Sequence, residues 1–458
     1  MGIDILDLID SKGGNSEAVR ESQRRRNASV ELVDECIGMY QAWVKLGFEL
    51  DMARKEINKT QKQITEKKKA KEDADDLLAE KKRLEASEAQ LKEHKAKTEA
   101  ELDKKVGTIG NIVHSGVPTS HTEDDNLQIK TWHPEGPNAK VEKKEGIFSH
   151  HEVMYKLDIL EQDRGTKVAG HRGFFLINDG VDLNQALITY GLNFLRTKGY
   201  KKVMTPFMMK RNMMAKTAQL SEFDEALYKL DGSGDDDDEK YLIATSEQPL
   251  SAFHADEWLQ EKDLPHRYAG YSTCFRKEAG SHGRDTWGIF RIHQFEKIEQ
   301  FCVTEPEKSW EMFEQMCQWS EEFYQSLGLP YQVVAIVSGA LNNAAAKKHD
   351  LEAWFPYQGE YKELVSVSNC LDYQSRSLEV RCGAVQKGQE RKKYVHMLNG
   401  TLCATERALC CLVENYQTPE GLVIPEVLRP YMGGRDFIPY VKSDLPKGSA
   451  STKPAKKK

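Results

Sequence analysis

Three separated stretches of this 458-residue chain carry residue types that could do chemistry on a polyanion. The first is Thr205-Pro206, after a helix-like stretch from Asn184 to Lys198 and a strand-like Lys202-Val203-Met204. The second runs Phe275-Arg276-Lys277-Glu278, a polar loop from Ala279 to Gly288, then Ile289-Phe290-Arg291-Ile292-His293-Gln294-Phe295-Glu296-Lys297-Ile298-Glu299. The third is Asn399-Gly400-Thr401 with Glu406-Arg407 opening an apolar run from Ala408 to Val413. In the second stretch, two strands joined by a ten-residue loop would set Arg276 and Arg291 on neighbouring strands, pointing to one face. Two guanidiniums over one pocket repel each other and want a polyanion, and arginine is the residue for planar recognition of phosphate. Arg407 would supply a third cation, and Glu278, Glu299 and Glu363 would supply carboxylates for a cationic ligand group or a divalent metal. Three arginines and several glutamates in one cleft suit a nucleoside triphosphate with Mg²⁺ and an amino acid. The competing reading is surface salt bridging, the commoner fate of any single Arg–Glu pair.

The elements that must position these residues can be read around them. From about Asn126 to Tyr440 glycine, proline and six of the seven tryptophans appear, and runs such as Tyr241 to Ala244 and Tyr331 to Val337 read as strands. Helical stretches, Leu183 to Lys198 and Thr405 to Glu414 among them, alternate with the strands irregularly, which predicts an α+β body on a mostly antiparallel sheet. Gly232-Ser233-Gly234 and the four aspartates after it read as an acidic loop.

The N-terminal quarter is different. Residues 48 to 106 contain neither Gly nor Pro and are built from strong helix formers. Apolar residues recur at helical spacing, Val33, Ile37, Leu46, Leu50, Ile57 and Ile64, and resume at Leu77, Leu84, Leu91, Leu102 and Val106. So sparse a stripe cannot bury itself and needs a partner, which predicts an antiparallel helical hairpin turning near Lys68 to Asp73. Between Arg54 and Lys71 the basic residues Arg54, Lys55, Lys59, Lys62, Lys67, Lys68, Lys69 and Lys71 face only Glu56 and Glu66. That is either a solvated coiled-coil face or a phosphate-binding surface.

Composition bounds the rest. With 65 basic and 72 acidic residues the net charge is −7, which excludes only a uniformly basic nucleic-acid binder. No stretch approaches the ~20 apolar residues of a membrane span. The start, Met1 to Leu6, lacks a basic region, so no signal or transit peptide is expected. Nine cysteines without a C-x-x-C pair suggest neither a zinc site nor a disulfide framework and fit the cytosol.

At the three charged stretches the chain resembles the class II aminoacyl-tRNA synthetases: Phe275 to Arg291 looks like motif 2, Gly400 to Arg407 like motif 3, and the helix, strand and Pro206 like motif 1. More narrowly, Thr245-Ser246-Glu247-Gln248, Arg291 to Glu299, Glu363-Leu364-Val365-Ser366-Val367-Ser368-Asn369-Cys370 and Asn399-Gly400-Thr401 resemble the seryl-tRNA synthetases, closest to eukaryotic cytosolic members. The resemblance covers essentially the whole chain, including the helical hairpin in front.

The resemblance implies a class II antiparallel-sheet catalytic domain over 118–440, behind a tRNA-binding domain over 1–117 whose coiled-coil arm spans about 28–106. A basic, disordered tail would follow over 441–458. It implies that Arg276 binds the α-phosphate and the serine carboxylate side, and that Glu278, Ile292 and Phe295 hold the adenine, with Lys277, Arg291, Leu364 and Val365 in the ATP site. Arg407 would reach the γ-phosphate, and Glu363 and Ser366 would hold Mg²⁺. Thr245 and Glu247, with Ser246 beside them, would receive the serine amino group, Glu299 and Thr401 would meet its hydroxyl, and Asn399 would belong to the same serine site. Motif 1 would form a homodimer. The eight basic residues from Arg54 to Lys71 would contact tRNA(Ser), with tRNA(Sec) a further candidate substrate. No zinc is expected. A class II paralogue without charging activity, acting as a regulator or RNA-binding protein, is the rival function.

Several features take the plainer reading. His150-His151 lack metal partners at useful spacing and read as structural. Cys410-Cys411 read as core, and the methionines from Met204 to Met214 as space-filling near motif 1. Gly13-Gly14 reads as a turn rather than a phosphate loop.

Overall fold

The computed structural model describes residues 2–217, 226–230, 239–278, 285, 287–383 and 392–446, and they fall into two compact units, Gly2–Ile112 and Val113 onward. The acidic loop at 232–238, most of the polar stretch 279–288 and the tail from 447 lie outside the described residues.

In the first unit α1 (Ser16–Arg25) precedes the hairpin of α2 (Glu31–Ala70) and α3 (Asp75–Val106). Forty residues at 1.5 Å per residue make α2 about 60 Å long. It ends where Lys71 takes a left-handed φ of 57° and its N–H closes onto the carbonyls of Lys67 and Lys68. α2 buries Val33, Cys36, Leu46, Leu50 and Ile64, and α3 buries Leu102 and Val106, with Leu77, Leu84 and Leu91 half-buried. Each sparse stripe is thus covered by the other helix, as the breaker-free sequence requires.

The second unit is built on eight strands: β1 (Leu127–Trp132), β2 (Lys201–Met204), β3 (His266–Phe275), β4 (Gln294–Thr304), β5 (Tyr331–Ala335), β6 (Lys347–Phe355), β7 (Glu360–Asn369) and β8 (His396–Ala404). Their spatial order is β1-β5-β6-β7-β8-β4-β3-β2, antiparallel except at the β2–β3 edge pair. Three helices, α4 (Asp179–Thr197), α5 (Ser309–Ser326) and α6 (Thr405–Tyr416), cover one face. Strand alternation divides the work. Ile298 and Cys302 of β4, Leu351 and Ala353 of β6 and Val365 and Val367 of β7 join the helical core. Lys297 and Glu299 of β4, Asp350 and Glu352 of β6 and Ser366 of β7 occupy the alternate positions. α6 is buried almost all round, Cys410 and Cys411 included at 0% exposure, so its first turn is held rigidly against the sheet.

Two sequence expectations are corrected. Arg276 and Arg291 do not lie on the paired strands: β3 ends at Phe275 and β4 begins only at Gln294. Ile289, Phe290 and Ile292 are all buried, a pattern that breaks the alternation of a strand and folds this segment as a turn. Arg276 still lies beside the return limb, its N–H donating to the His293 carbonyl at 2.9 Å. The methionine stretch is only partly space-filling, since Met209 and Met214 are buried while Met204 and Met208 are 71% and 48% exposed.

Candidate active site

The ends of β3 and β4, the β7 strand and the first turn of α6 enclose a cleft of about 500 Å³, its open mouth included. Arg276, Arg291 and Arg407 all line it, with Glu278, Phe290, Ile292, Phe295, Glu363 and Leu364. The cations are seated on rings and carbonyls. Arg276 lies 5.2 Å from the Phe295 ring centre and donates to the Ala244 carbonyl at 3.4 Å. Arg407 lies 4.9 Å from the Phe290 ring centre, donates to the carbonyls of Phe290 and Glu363 at 3.3 Å each, and stands 3.8 Å from the Glu363 carboxylate. Arg291 donates to Glu278 at 3.1 Å. Burial lowers the Arg407 guanidinium from its ordinary value; Glu363 opposes this, and Arg276 and Arg291 add to it. Such mutual repulsion between cations favours an anionic occupant.

Beside this cleft lies a second group. The Thr245 hydroxyl accepts from the Glu247 N–H at 3.2 Å, and Glu247 Oε1 accepts from Asn399 and from Gln374, each at 3.0 Å. The segment from Ser246 to Leu250 packs closely on β3 at Gly270: a Cβ there would stand 2.6 Å from Leu250 Cδ1 and 2.9 Å from Ser246 Oγ, and those side chains would have to shift. Glu299 is paired in register with Gly270 on one side and Thr401 on the other. Its carboxylate meets Lys297 Nζ at 2.5 Å, with both side chains buried.

Ser366 lies directly opposite Asp350 across β6 and β7. Burial pushes the Asp350 carboxyl up to about 7, with Lys348, 3.5 Å away, opposing and Glu363 adding to the rise. Among the described residues no cluster of three or more His, Cys, Asp or Glu could hold a metal by itself. Glu363 and Ser366 offer two hard oxygen donors, a set that suits Mg²⁺ when phosphate and water complete it. The buried Asp350 Oδ1, with no hydrogen-bond partner among the described residues, adds a third oxygen near Ser366.

Glu406 plays no part as an open carboxylate. It accepts from the Glu296 N–H at 3.0 and 3.2 Å, and burial, with the Glu296 carboxylate nearby, pushes its acid up to about 8. Glu296 is in turn held by the Tyr271 hydroxyl at 2.6 Å and by Asn184 of α4 at 2.5 Å.

Sequence reasoning missed five contributors: Phe290, Lys297, Gln374, Arg172 and Gln162. Arg172, buried, donates to the Arg291 carbonyl at 2.7 Å and to the Asp285 carbonyl at 3.3 Å. The Gln162 amide brackets Gly288, accepting from its N–H at 3.3 Å and donating to its carbonyl at 3.4 Å. A charged residue two places from Glu299 on a buried strand was a usable signal for Lys297; the others had none.

On the arm, all eight basic residues from Arg54 to Lys71 are exposed. Arg54 pairs with Glu88 and Lys59 with Glu56, while Lys55, Lys62, Lys68, Lys69 and Lys71 make no ion pair among the described residues. Val44, Phe48 and Met52 are also exposed, one helical turn apart, and Lys55, Lys59 and Lys62 continue the same side of α2.

This sheet, with cations gathered where the ends of β3 and β4 meet the start of α6, defines a class II aminoacyl-tRNA synthetase core. Residues 228–416 match the model described as tRNA synthetase class II core domain (G, H, P, S and T), and residues 3–113 match the seryl-tRNA synthetase N-terminal domain. A cytoplasmic serine–tRNA ligase of Saccharomyces cerevisiae is 59% identical over 465 residues, covering 100% of both chains. The structure of a cytoplasmic serine–tRNA ligase from Naegleria fowleri in complex with AMP has a TM-score of 0.87 and 46% identity, covering 96% of this chain and 100% of that one. A seryl-tRNA synthetase from Pyrococcus horikoshii complexed with ATP gives a TM-score of 0.87 at 35% identity, with the same coverage. The chain belongs to the seryl-tRNA synthetase family, the ligases that join serine to tRNA.

Proposed function

We propose that the cleft activates L-serine with ATP to seryl-adenylate and then passes the seryl group to the 3′ end of tRNA(Ser). The observation that carries this reading is the shared cavity of Arg276, Arg291 and Arg407, with the Thr245–Glu247 loop beside it. The serine carboxylate is already a nucleophile, so its in-line attack on the α-phosphorus needs no general base. What the protein must supply is position and charge neutralisation. Arg276 faces the α-phosphate and the carboxylate, and Arg407 reaches toward the γ-phosphate. Phe295, Ile292 and Glu278 hold the adenine, with Lys277, Arg291, Leu364 and Val365 around the nucleotide. Glu363 and Ser366 would hold Mg²⁺, which when bound neutralises phosphate charge. Glu247, with Thr245 and Ser246, receives the ammonium, Glu299 and Thr401 receive the hydroxyl, and Asn399 completes the serine site, its amide donating to Glu247. In the second step the terminal ribose hydroxyl of the tRNA attacks the seryl carbonyl and AMP leaves.

Residues 1–117 would bind the tRNA, through the exposed basic residues Arg54 to Lys71, and 118–440 would carry the catalysis. A homodimer is supported by β2 at the sheet edge with exposed Met204 and Met208 nearby, an edge that invites a partner. The Saccharomyces cerevisiae and Naegleria fowleri relatives are named cytoplasmic, and the same compartment is proposed for this chain.

Amino-acid-dependent exchange of pyrophosphate into ATP tests the reading. Exchange with serine far above the other nineteen amino acids supports it, and none at saturating serine contradicts it in favour of the non-charging paralogue.

A further inference from the structure

We propose that Lys297 is a positioning residue for the substrate hydroxyl: its ammonium holds the Glu299 carboxylate in place as the hydroxyl's acceptor. Discrimination of serine from alanine then depends on a cation that the hydroxyl need not touch. This rests on the assignment of Glu299 to the hydroxyl.

The geometry makes the pair self-contained. Lys297 and Glu299 are two places apart on β4, so both side chains leave the same face of the sheet. They are 6% and 2% exposed, and Nζ stands 2.5 Å from Oε2. Among the described residues neither makes another ion pair. The register neighbours of Lys297 are Ser272 and Ala404, and those of Glu299 are Gly270 and Thr401, none of them charged. Lys297 lines the nucleotide cleft with Arg276, Phe295 and Thr401, so the pair sits where the amino-acid pocket meets the nucleotide.

A buried carboxylate without a counter-charge is driven to protonate or to move. In either case the oxygen offered to a substrate hydroxyl loses its charge or its place. Lys297 opposes both by pairing with Oε2, a charge contact and not an aligned hydrogen bond, and Oε1 is the oxygen proposed for the ligand. A site built to receive a hydroxyl rejects the analogue lacking it because its own polar group is then left badly paired, and that penalty is largest when the group is charged.

The test is pyrophosphate exchange with serine and with alanine, comparing the parent chain with Lys297→Met, Lys297→Arg, Glu299→Gln and the double variant Lys297→Met/Glu299→Gln. Lys297→Met should cut the serine-to-alanine ratio of kcat/KM by about 100-fold, with KM for ATP nearly unchanged. Lys297→Arg, which keeps the charge, should restore most of the ratio. The double variant buries no charge and so guards against simple misfolding. It should match Glu299→Gln alone, because Lys297 acts only through Glu299. A parent-like ratio in Lys297→Met, beside a lost ratio in Glu299→Gln, overturns the inference and leaves the hydroxyl assignment standing. A further loss in the double variant also overturns it. A parent-like ratio in Glu299→Gln overturns the hydroxyl assignment itself and the inference with it.

Discussion

The Arg407 guanidinium lies over the Phe290 ring, 4.9 Å from its centre, while its Nε donates to the carbonyl of that same residue at 3.3 Å. The segment returning from the polar loop is therefore both the ring and the acceptor that aim the cation of α6 into the cleft. Cation–π contacts are worth ~0.5–2 kcal/mol. Phe290→Leu keeps an apolar side chain and removes the ring, so KM for ATP should rise by about 2- to 30-fold with KM for serine unchanged. Initial-rate exchange at varied ATP and varied serine separates the two.

Arg172 holds that segment from the other side through the carbonyls of Asp285 and Arg291. Removing a buried donor costs about 1–3 kcal/mol for each group left unsatisfied. Arg172→Ala should therefore lower kcat/KM for ATP by about 10- to 100-fold. KM for serine should stay as in the parent, because the Thr245–Glu247 loop is held by Gln374 and Asn399 instead. Equal losses for both substrates would mean that Arg172 merely supports the fold.

How much of this could be read from the sequence follows from the range of each interaction. The arm was legible because helix formation is local: the run from 48 to 106 without a breaker and its single apolar stripe require a second helix. Arg276, Arg291 and Arg407 were legible as cations in need of one polyanion, although their perches were not. Arg291 was expected on a strand and sits on a turn, because Ile289, Phe290 and Ile292 are drawn into the core together. Arg172 was illegible: its contacts span 113 and 119 residues, and its left-handed backbone, φ 63°, has no local signature in an arginine. Glu406 carried no role in the sequence beyond standing next to Arg407, and only the packing of α6 shows that its carboxyl is buried against the Glu296 N–H rather than open to the cleft.

Glu406 gives the chain a specific pH response. Its acid is raised to about 8 in the fold, against an ordinary carboxylate value in the unfolded chain. Between about pH 4.5 and 8 the unfolded chain releases this proton and the folded chain keeps it, so this group makes stability fall as pH rises through that window. Glu406→Gln removes the titration, and its denaturation midpoint should decline less than the parent's between pH 5 and pH 8. Parallel declines in the two proteins would contradict this assignment.

The arm's basic face should act on tRNA alone. Substituting Lys55, Lys59 and Lys62 with alanine removes three exposed charges from one side of α2. Pyrophosphate exchange should be unchanged, while aminoacylation should show a KM for tRNA raised about 10-fold. The dependence of log kcat/KM on log salt should become shallower by about 2, reflecting counterions no longer released. An unchanged salt slope would place the RNA contact elsewhere on the molecule.

Arg276 carries the most weight in the cleft, 5.2 Å from the Phe295 ring centre and in the same cavity as the other two guanidiniums. The decisive measurement is serine-dependent pyrophosphate exchange by Arg276→Ala at saturating ATP, with the thermal midpoint recorded on the same preparation. A fall of about 10³-fold or more at an unchanged midpoint is expected for a charge aimed at the reacting phosphate. Turnover near that of the parent chain would contradict the assignment of this cleft as the site of serine activation.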